Sequence, residues 1–231
     1  MADGAQHFLD SFRDPAAVAR YTDGPRRFVP GFDGLHRMTG LLLAERAPAD
    51  AHILVLGAGG GLELKAMAEA HPGWRFTGVD PARQMLDLAA QVMGPDARRA
   101  ELIEGYIDDA PAGPFDGATC LLTLHFLERD ERIRTAAAIR KRLRPGAPFV
   151  AAHGSFPQEA GARDRWLDRY AAYAIASGGD PDQVARGREA VARHVAMLSP
   201  EADEAVLRAA GFTGIELFYA AFTWRGWVAC A

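Results

Sequence analysis

The chain has 231 residues, 49% of them hydrophobic and 24% charged, with a net charge of −4. That balance suits one soluble, well-filled domain spanning 1–231 and supplies no global field to recruit nucleic acid or an anionic membrane. No apolar run approaches the ~20 residues of a membrane-spanning helix. The opening MADGAQHFLDSFRD lacks the basic-then-apolar pattern of a signal peptide, and Cys120 and Cys230, each in a strand-like segment, read as buried free thiols; together these predict a cytoplasmic protein.

The first fifty residues form a helix-biased segment. PAAVARYTD and GLHRMTGLLLAERA carry apolar residues at helical spacing, with Asp33 as the expected N-cap of the second helix and GPRRFVPGF (24–32) as the loop between them. From residue 52 strands and helices alternate: strand HILVLG, helix GLELKAMAEAH, strand RFTGVD, a helix starting at Pro81, then strands RAELIEG and FDGATCLLTL. Helix ERIRTAAAIRKRLRPG, with its stop at Gly146, leads into strand PFVAAHG. Alternation with continuous apolar strands predicts an α/β fold, a doubly wound, mostly parallel seven-stranded sheet covered on both faces. Residues 156–197 interrupt with two helices, expected to form a cap. SPEADEAVLRAAG then reads as a helix capped by Ser199, and GIELFYAAF and TWRGWVACA as a closing hairpin that turns near Phe222–Arg225.

Glycines crowd the end of the first strand in ILVLGAGGGLEL. There they permit a tight turn and bring backbone N–H groups close to a ligand. A dinucleotide fingerprint needs a further glycine where Leu62 stands, so G-x-G-x-G better fits a ligand without a pyrophosphate, and a nicotinamide-dependent oxidoreductase is disfavoured. The next strand ends in Asp80, placed to accept ribose hydroxyls or to cap the helix after it, roles that can coexist.

VLGAGGG, GVDPARQML, EGYIDD, FDGATCLLTLHFL and LRPGAPFVAAHG stand in order over residues 52–153, with AGFTGIELF late in the chain. In these pieces the chain resembles the class I S-adenosylmethionine (SAM) dependent methyltransferases, of Rossmann-like fold. The resemblance implies that Gly57, Ala58, Gly59 and Gly61 wrap the methionine half of SAM and that Asp80 holds its ribose. It further implies that Pro81 and Met85 flank the adenosine, Tyr106 and Ile107 edge the adenine, and Leu121 to Thr123 line the sulfonium side. Two positions depart from the family pattern: Val55 stands where an acid is common in the first strand, and Tyr106 where an Asp commonly holds the adenine amine, a role left to Asp108 or Asp109.

VPGFDGLHRMTGLLLAERA, TLHFL and GREAVARHVAMLSPEADEAVLRAAGF are similar to the carboxy-SAM synthase branch. That likeness places Phe32 at the cofactor, where the branch usually has tyrosine, and makes Arg188, or Arg193 in another register, the grip for a carboxylate. Leu121 and Tyr106 replace polar residues of that branch, so methyl transfer to a small molecule, by in-line displacement at the sulfonium, is expected ahead of carboxy-SAM synthesis or a non-catalytic SAM-binding role.

His153, after the fifth strand, is the candidate general base, and His125, just past the fourth, a candidate substrate contact; each could instead complete the core. The arginines of 162–197 are balanced by acids and read as a salt-bridged surface, RKRLR (140–144) as a helix C-terminal cluster, and Trp166, Tyr170 and Tyr173 as core packing. No histidine has a partner at metal-ligand spacing, so no metal is expected. A homodimer through the closing hairpin is allowed.

Overall fold

The computed structural model describes Leu9, Phe12, Asp14, Val18 and residues 21–231. The helix expected at PAAVARYTD falls mostly outside the described residues; its end, Tyr21–Asp23, is a 3-10 turn. Seven strands form one sheet in the order β3-β2-β1-β4-β5-β7-β6. They are β1 (His52–Leu56), β2 (Arg75–Asp80), β3 (Ala100–Glu104), β4 (Gly117–Leu121), β5 (Pro148–Gly154), β6 (Thr213–Ala221) and β7 (Trp224–Cys230). Strands β1 to β5 are parallel, and β7 inserts antiparallel between β5 and β6. The chain leaves β1 toward β3, then returns to β4 on the other side of β1. A crevice therefore opens where β1 and β4 send their loops in opposite directions, the usual ligand position in a doubly wound sheet.

The connections are α1 (Gly24–Phe28), α2 (Phe32–Ala44), α3 (Leu62–Ala70), α4 (Arg83–Met93), α5 (Arg129–Arg142), α6 (Ala162–Ala176), α7 (Pro181–His194) and α8 (Pro200–Ala209). Alternate residues of β1 feed opposite cores. Ile53 and Val55 pack with Leu35 and Leu43 of α2 and Leu64 of α3, while Leu54 and Leu56 pack with Ile139 of α5 and Leu207 of α8. Burial of both faces explains the unbroken apolar run of β1. The sheet edges are protected, β3 by Glu101 and Glu104 and β6 by two register shifts along its pairing with β7. Among the described residues, no helix is long and apolar enough to cross a membrane.

Several local expectations are corrected. The 24–32 segment contains the short helix α1, because Pro25 sits in its first turn, where a missing N–H is harmless. Helix α2 begins at Phe32 with Gly31 as N-cap, and Asp33 instead accepts from Arg26 Nε (3.2 Å) and Nη2 (2.8 Å). Helix α4 starts at Arg83 rather than Pro81. Helix α5 ends at Arg142, short of Gly146, since Leu143 is already extended and Arg144 precedes a proline. Other readings hold. Ser199 Oγ accepts from Ala202 N (3.3 Å), and Arg142 donates to the Ala138 carbonyl in the last turn of α5 (3.0 Å).

Helices α6 and α7, expected as a cap, are joined by Arg188 of α7 to Asp168 of α6 (2.7 Å), and neither lends a residue to the lining of the cavity at the strand ends. The aromatic face of α6 is only half-buried, and within it Tyr170 packs against the core on the α2 and α3 side of the sheet. Tyr170 stacks on Phe28 of α1 (5.4 Å between centroids), and Trp166 lies between the guanidiniums of Arg169 and Arg225. Tyr219 Oη and Trp224 Nε1 donate to the Pro30 and Phe28 carbonyls, tying the closing hairpin to the segment before β1.

Candidate functional site

A cavity of about 660 Å³ lies over the carboxyl ends of β1, β2 and β4. Its floor is the glycine turn. Gly57 and Ala58 both donate to the Val79 carbonyl, and Gly60 donates to Met85 O, which straps the loop to β2 and α4. Gly57 has φ +82°, and an added side chain there would run into Thr123. At Gly59 an added Cβ would stand 2.7 Å from Asp80 Oδ2 and 2.9 Å from Met85 Cβ. Only bare backbone fits at these two positions, so the turn is a cradle in which main-chain groups, not side chains, face the cavity.

Asp80 ends β2 with its carboxylate shared by two elements: Oδ2 accepts from Gly59 N (3.0 Å) and Oδ1 from Ala82 N (2.9 Å). Burial raises its pKa, and those two N–H groups offset the rise only in part. Each oxygen retains a lone pair for a ligand hydroxyl, so capping and ligand binding coexist. Replacing Asp80 with Ala should weaken binding of S-adenosylhomocysteine (SAH) by roughly tenfold, the loss of one charge-assisted hydrogen bond. Calorimetric titration checks this, and unchanged affinity would leave Asp80 as a cap alone.

Of the residues expected at the cofactor, Gly57, Gly59, Asp80, Pro81, Met85, Tyr106, Ile107, Leu121 and Thr123 all line this cavity. Phe32, Ala58 and Gly61 do not. The Phe32 ring packs edge-on against His36 (4.3 Å), Ala58 is wholly buried, and Gly61 turns against Ala89 of α4. Asp108 lines the cavity, while Asp109 is turned back to accept from Tyr106 N (2.8 Å).

The histidines sit behind the wall. His153 lies within β5, 2% exposed, with Nε2 3.1 Å from Asp203 Oδ1 of α8. That approach is an electrostatic contact and not an aligned hydrogen bond. Alternation along β5 puts its side chain on the α5 and α8 face of the sheet, and it does not line the cavity. His125 Nδ1 accepts from Gly154 N (3.3 Å), and its ring abuts Trp224. Burial first, then the charges of His153 and Arg132, hold its pKa well below the usual value, which keeps it neutral. Arg188 is outside the lining with its guanidinium on Asp168 and Asp164, and Arg193 pairs with Glu189.

Three sets of residues escaped sequence reasoning. Leu9, Phe12 and Tyr21 cover the cavity from the N-terminal side, with the Tyr21 ring lying across Gly60. Glu131, Arg134, Thr135, Ala138 and Lys141 of α5 line its far end; their helical spacing is the signal that could have revealed them. The third is Glu63, in the first turn of α3. It is 8% exposed and accepts from Thr119 Oγ1 of β4 at 2.5 Å. Thr119 is the register partner of Val55, so a carboxyl from α3 occupies the sheet face beside that valine. Among the described residues, no group of three or more His, Cys, Asp or Glu side chains could hold a metal ion.

Residues 54–149 match a family described as a methyltransferase domain. Over 215 residues the chain is 27% identical to the carboxy-S-adenosyl-L-methionine synthase of Chromohalobacter salexigens, covering 89% of this chain and 78% of that protein. Among solved structures it resembles PigF with SAH (TM-score 0.69, 17% identity, 96% of this chain and 61% of that one). It also resembles human N-acetylserotonin methyltransferase in complex with SAM (TM-score 0.59, 17% identity, 96% and 61%). The chain thus spans about three-fifths of the length of both solved methyltransferases. Residues 54–149 therefore carry a match to a methyltransferase domain, on a seven-stranded sheet of the fold shared with those solved methyltransferases, and the glycine cradle and acidic strand end lie within that matched stretch.

Proposed function

We propose that this enzyme methylates a small molecule in the cavity above its glycine turn. The observation that carries the reading is the continuity of that cavity, from Gly57, Gly59 and Asp80 past Leu121 to Thr123 to an apolar side made by Phe12, Phe126 and Leu127. SAM supplies a methyl group already activated on a sulfonium. What remains for the protein is placement and the exclusion of water. Gly57 and Gly59 would receive the methionine half on bare backbone, Asp80 the ribose hydroxyls, and Tyr106, Ile107 and Asp108 the adenine. Phe12 meets Tyr21 and Phe126 edge-on, with centroids 6.0 and 6.3 Å away, which closes an aromatic arch over the cavity. The buried positions of His125 and His153 favour structural roles for both.

Carboxy-SAM synthesis is the second reading, supported by the curated relative. It needs a cation to grip a carboxylate, and Arg188, the expected one, is already held by two aspartates outside the cavity. A single cytoplasmic domain, monomeric or paired through the closing hairpin, is the setting we propose. Mass spectrometry of nucleosides formed from SAM with a panel of small acceptors tests the assignment. SAH appearing with a methylated acceptor supports methyl transfer, carboxy-SAM appearing with prephenate promotes the second reading, and bound but unconverted SAM leaves a cofactor-binding module.

A further inference from the structure

The N-terminal segment covers the cavity from a cluster separate from the two cores of the sheet. Leu9 is buried against Ala82 and Met85 in this third, smaller cluster, with Phe12, Val18 and Tyr21 packed around it. Both anchors stand on the cofactor side. Met85 lines the cavity, and Ala82 N donates to Asp80 Oδ1 (2.9 Å). The Tyr21 ring lies across the glycine turn, so close that a Cβ at Gly60 would collide with it. Phe12 spans to the other wall, meeting Tyr21 on one side and Phe126, in the turn after β4, on the other, both edge-on. These contacts are apolar and lie apart from the clusters that hold the sheet, so they can part while the sheet stays folded.

We propose that Leu9, Phe12 and Tyr21 form a gate that parts from Met85 and Phe126 to admit or release the cofactor, and that in its shut form Phe12 is part of the acceptor's wall. This rests on the assignment of the cavity to SAM. A ligand seated on Gly57, Gly59 and Asp80 shares its cavity with all three gate residues, so it cannot pass while they are shut. The gate therefore slows exchange in both directions, since entry and exit each wait for the open form. An acceptor packed against Phe12 holds the gate shut. The cofactor thus enters before the acceptor, and SAH leaves last.

The test is the rate of SAH binding and release, followed by surface plasmon resonance on the full chain. Phe12→Ala should speed both association and dissociation, each by roughly two- to tenfold, the worth of one edge-on aromatic contact. A residue that merely touches the ligand would change dissociation and leave association alone, so that outcome would overturn the gate. Phe126→Ala removes the opposite half of the same contact. Its effect and that of Phe12→Ala should therefore not add in the double variant, and additive effects would count against the proposal. Thermal unfolding of the ligand-free chain should be little changed by Phe12→Ala, because its ring lies outside the two main cores. Should that variant not fold, Leu9→Ala loosens the gate at Met85 instead and should also raise both rates. Unaltered rates in every variant would overturn the inference and leave the cofactor assignment standing. Failure of SAH to bind the wild-type chain would sink that assignment and the gate with it.

Discussion

Replacing Gly57 with Ala is expected to lower SAH affinity about a hundredfold, the ~3 kcal/mol upper range of overpacking a filled site. Two effects combine there. The backbone holds φ +82°, which an L side chain adopts only with strain, and the new methyl group would meet Thr123, whose Cβ stands 3.0 Å from its position. Thr123 is fixed in turn by its hydroxyl, which donates to the Leu121 carbonyl (3.0 Å), and by Leu122, itself at φ +56°. The turn and the end of β4 therefore cannot move apart freely to admit the methyl. Adding Thr123→Ala to Gly57→Ala removes the hydroxyl collision but not the backbone strain, so affinity should return only in part. Full recovery would show that crowding alone matters, and wild-type affinity in the single variant would mean that the turn is not the cradle. Calorimetry reads binding, and thermal unfolding separates it from loss of stability.

The largest effect on stability is expected at Arg132. Its guanidinium is wholly buried between α5, α8 and the segment that follows α7. It donates to Asp203 Oδ1 (2.6 Å), to the Leu127 carbonyl (3.2 Å) and to the Ala196 carbonyl. One side chain thus joins the loop after β4, which lines the cavity, to the chain returning from α7. Arg132→Met should cost about 3–5 kcal/mol, because Asp203 remains buried without its main partner. The double variant Arg132→Met/Asp203→Leu should recover most of that loss, since no charge is then left unpaired. Denaturant unfolding measures both, and additive losses would contradict the coupling. The pH dependence has a definite sign. Burial alone would raise the Asp203 pKa, but His153, Arg132 and Ser155 together outweigh it and the net shift is downward. Asp203 therefore contributes stability above the ordinary carboxylate range, and this is lost as pH falls through its depressed folded-state value.

Local chemistry made most of the sheet legible. Strands β2 and β5 run over the residues read as strands, since RFTGVD and PFVAAHG are bounded by turn residues and buried on both faces. Asp80 and the glycine turn were readable because bare backbone and a strand-end acid are local requirements of a ligand edge. What escaped depends on tertiary pairing. Arg188 looked available until Asp164 and Asp168 arrived from another helix, and His153 looked catalytic until the pleat of β5 turned it toward Asp203, fifty residues on. Phe32 read as a cofactor contact, yet the start of α2 at that residue buries its ring against His36. Glu63 was hidden for the same reason, since its partner Thr119 comes from a strand far along the chain.

The central claim is that the cavity over Gly57, Gly59 and Asp80 is a SAM site. Calorimetric titration of the purified chain with SAH, with NADH as the competing nucleotide, tests it most directly. The account predicts saturable one-to-one binding of SAH, weakened by Asp80→Ala, and no binding of NADH. Heat from NADH but none from SAH would contradict it.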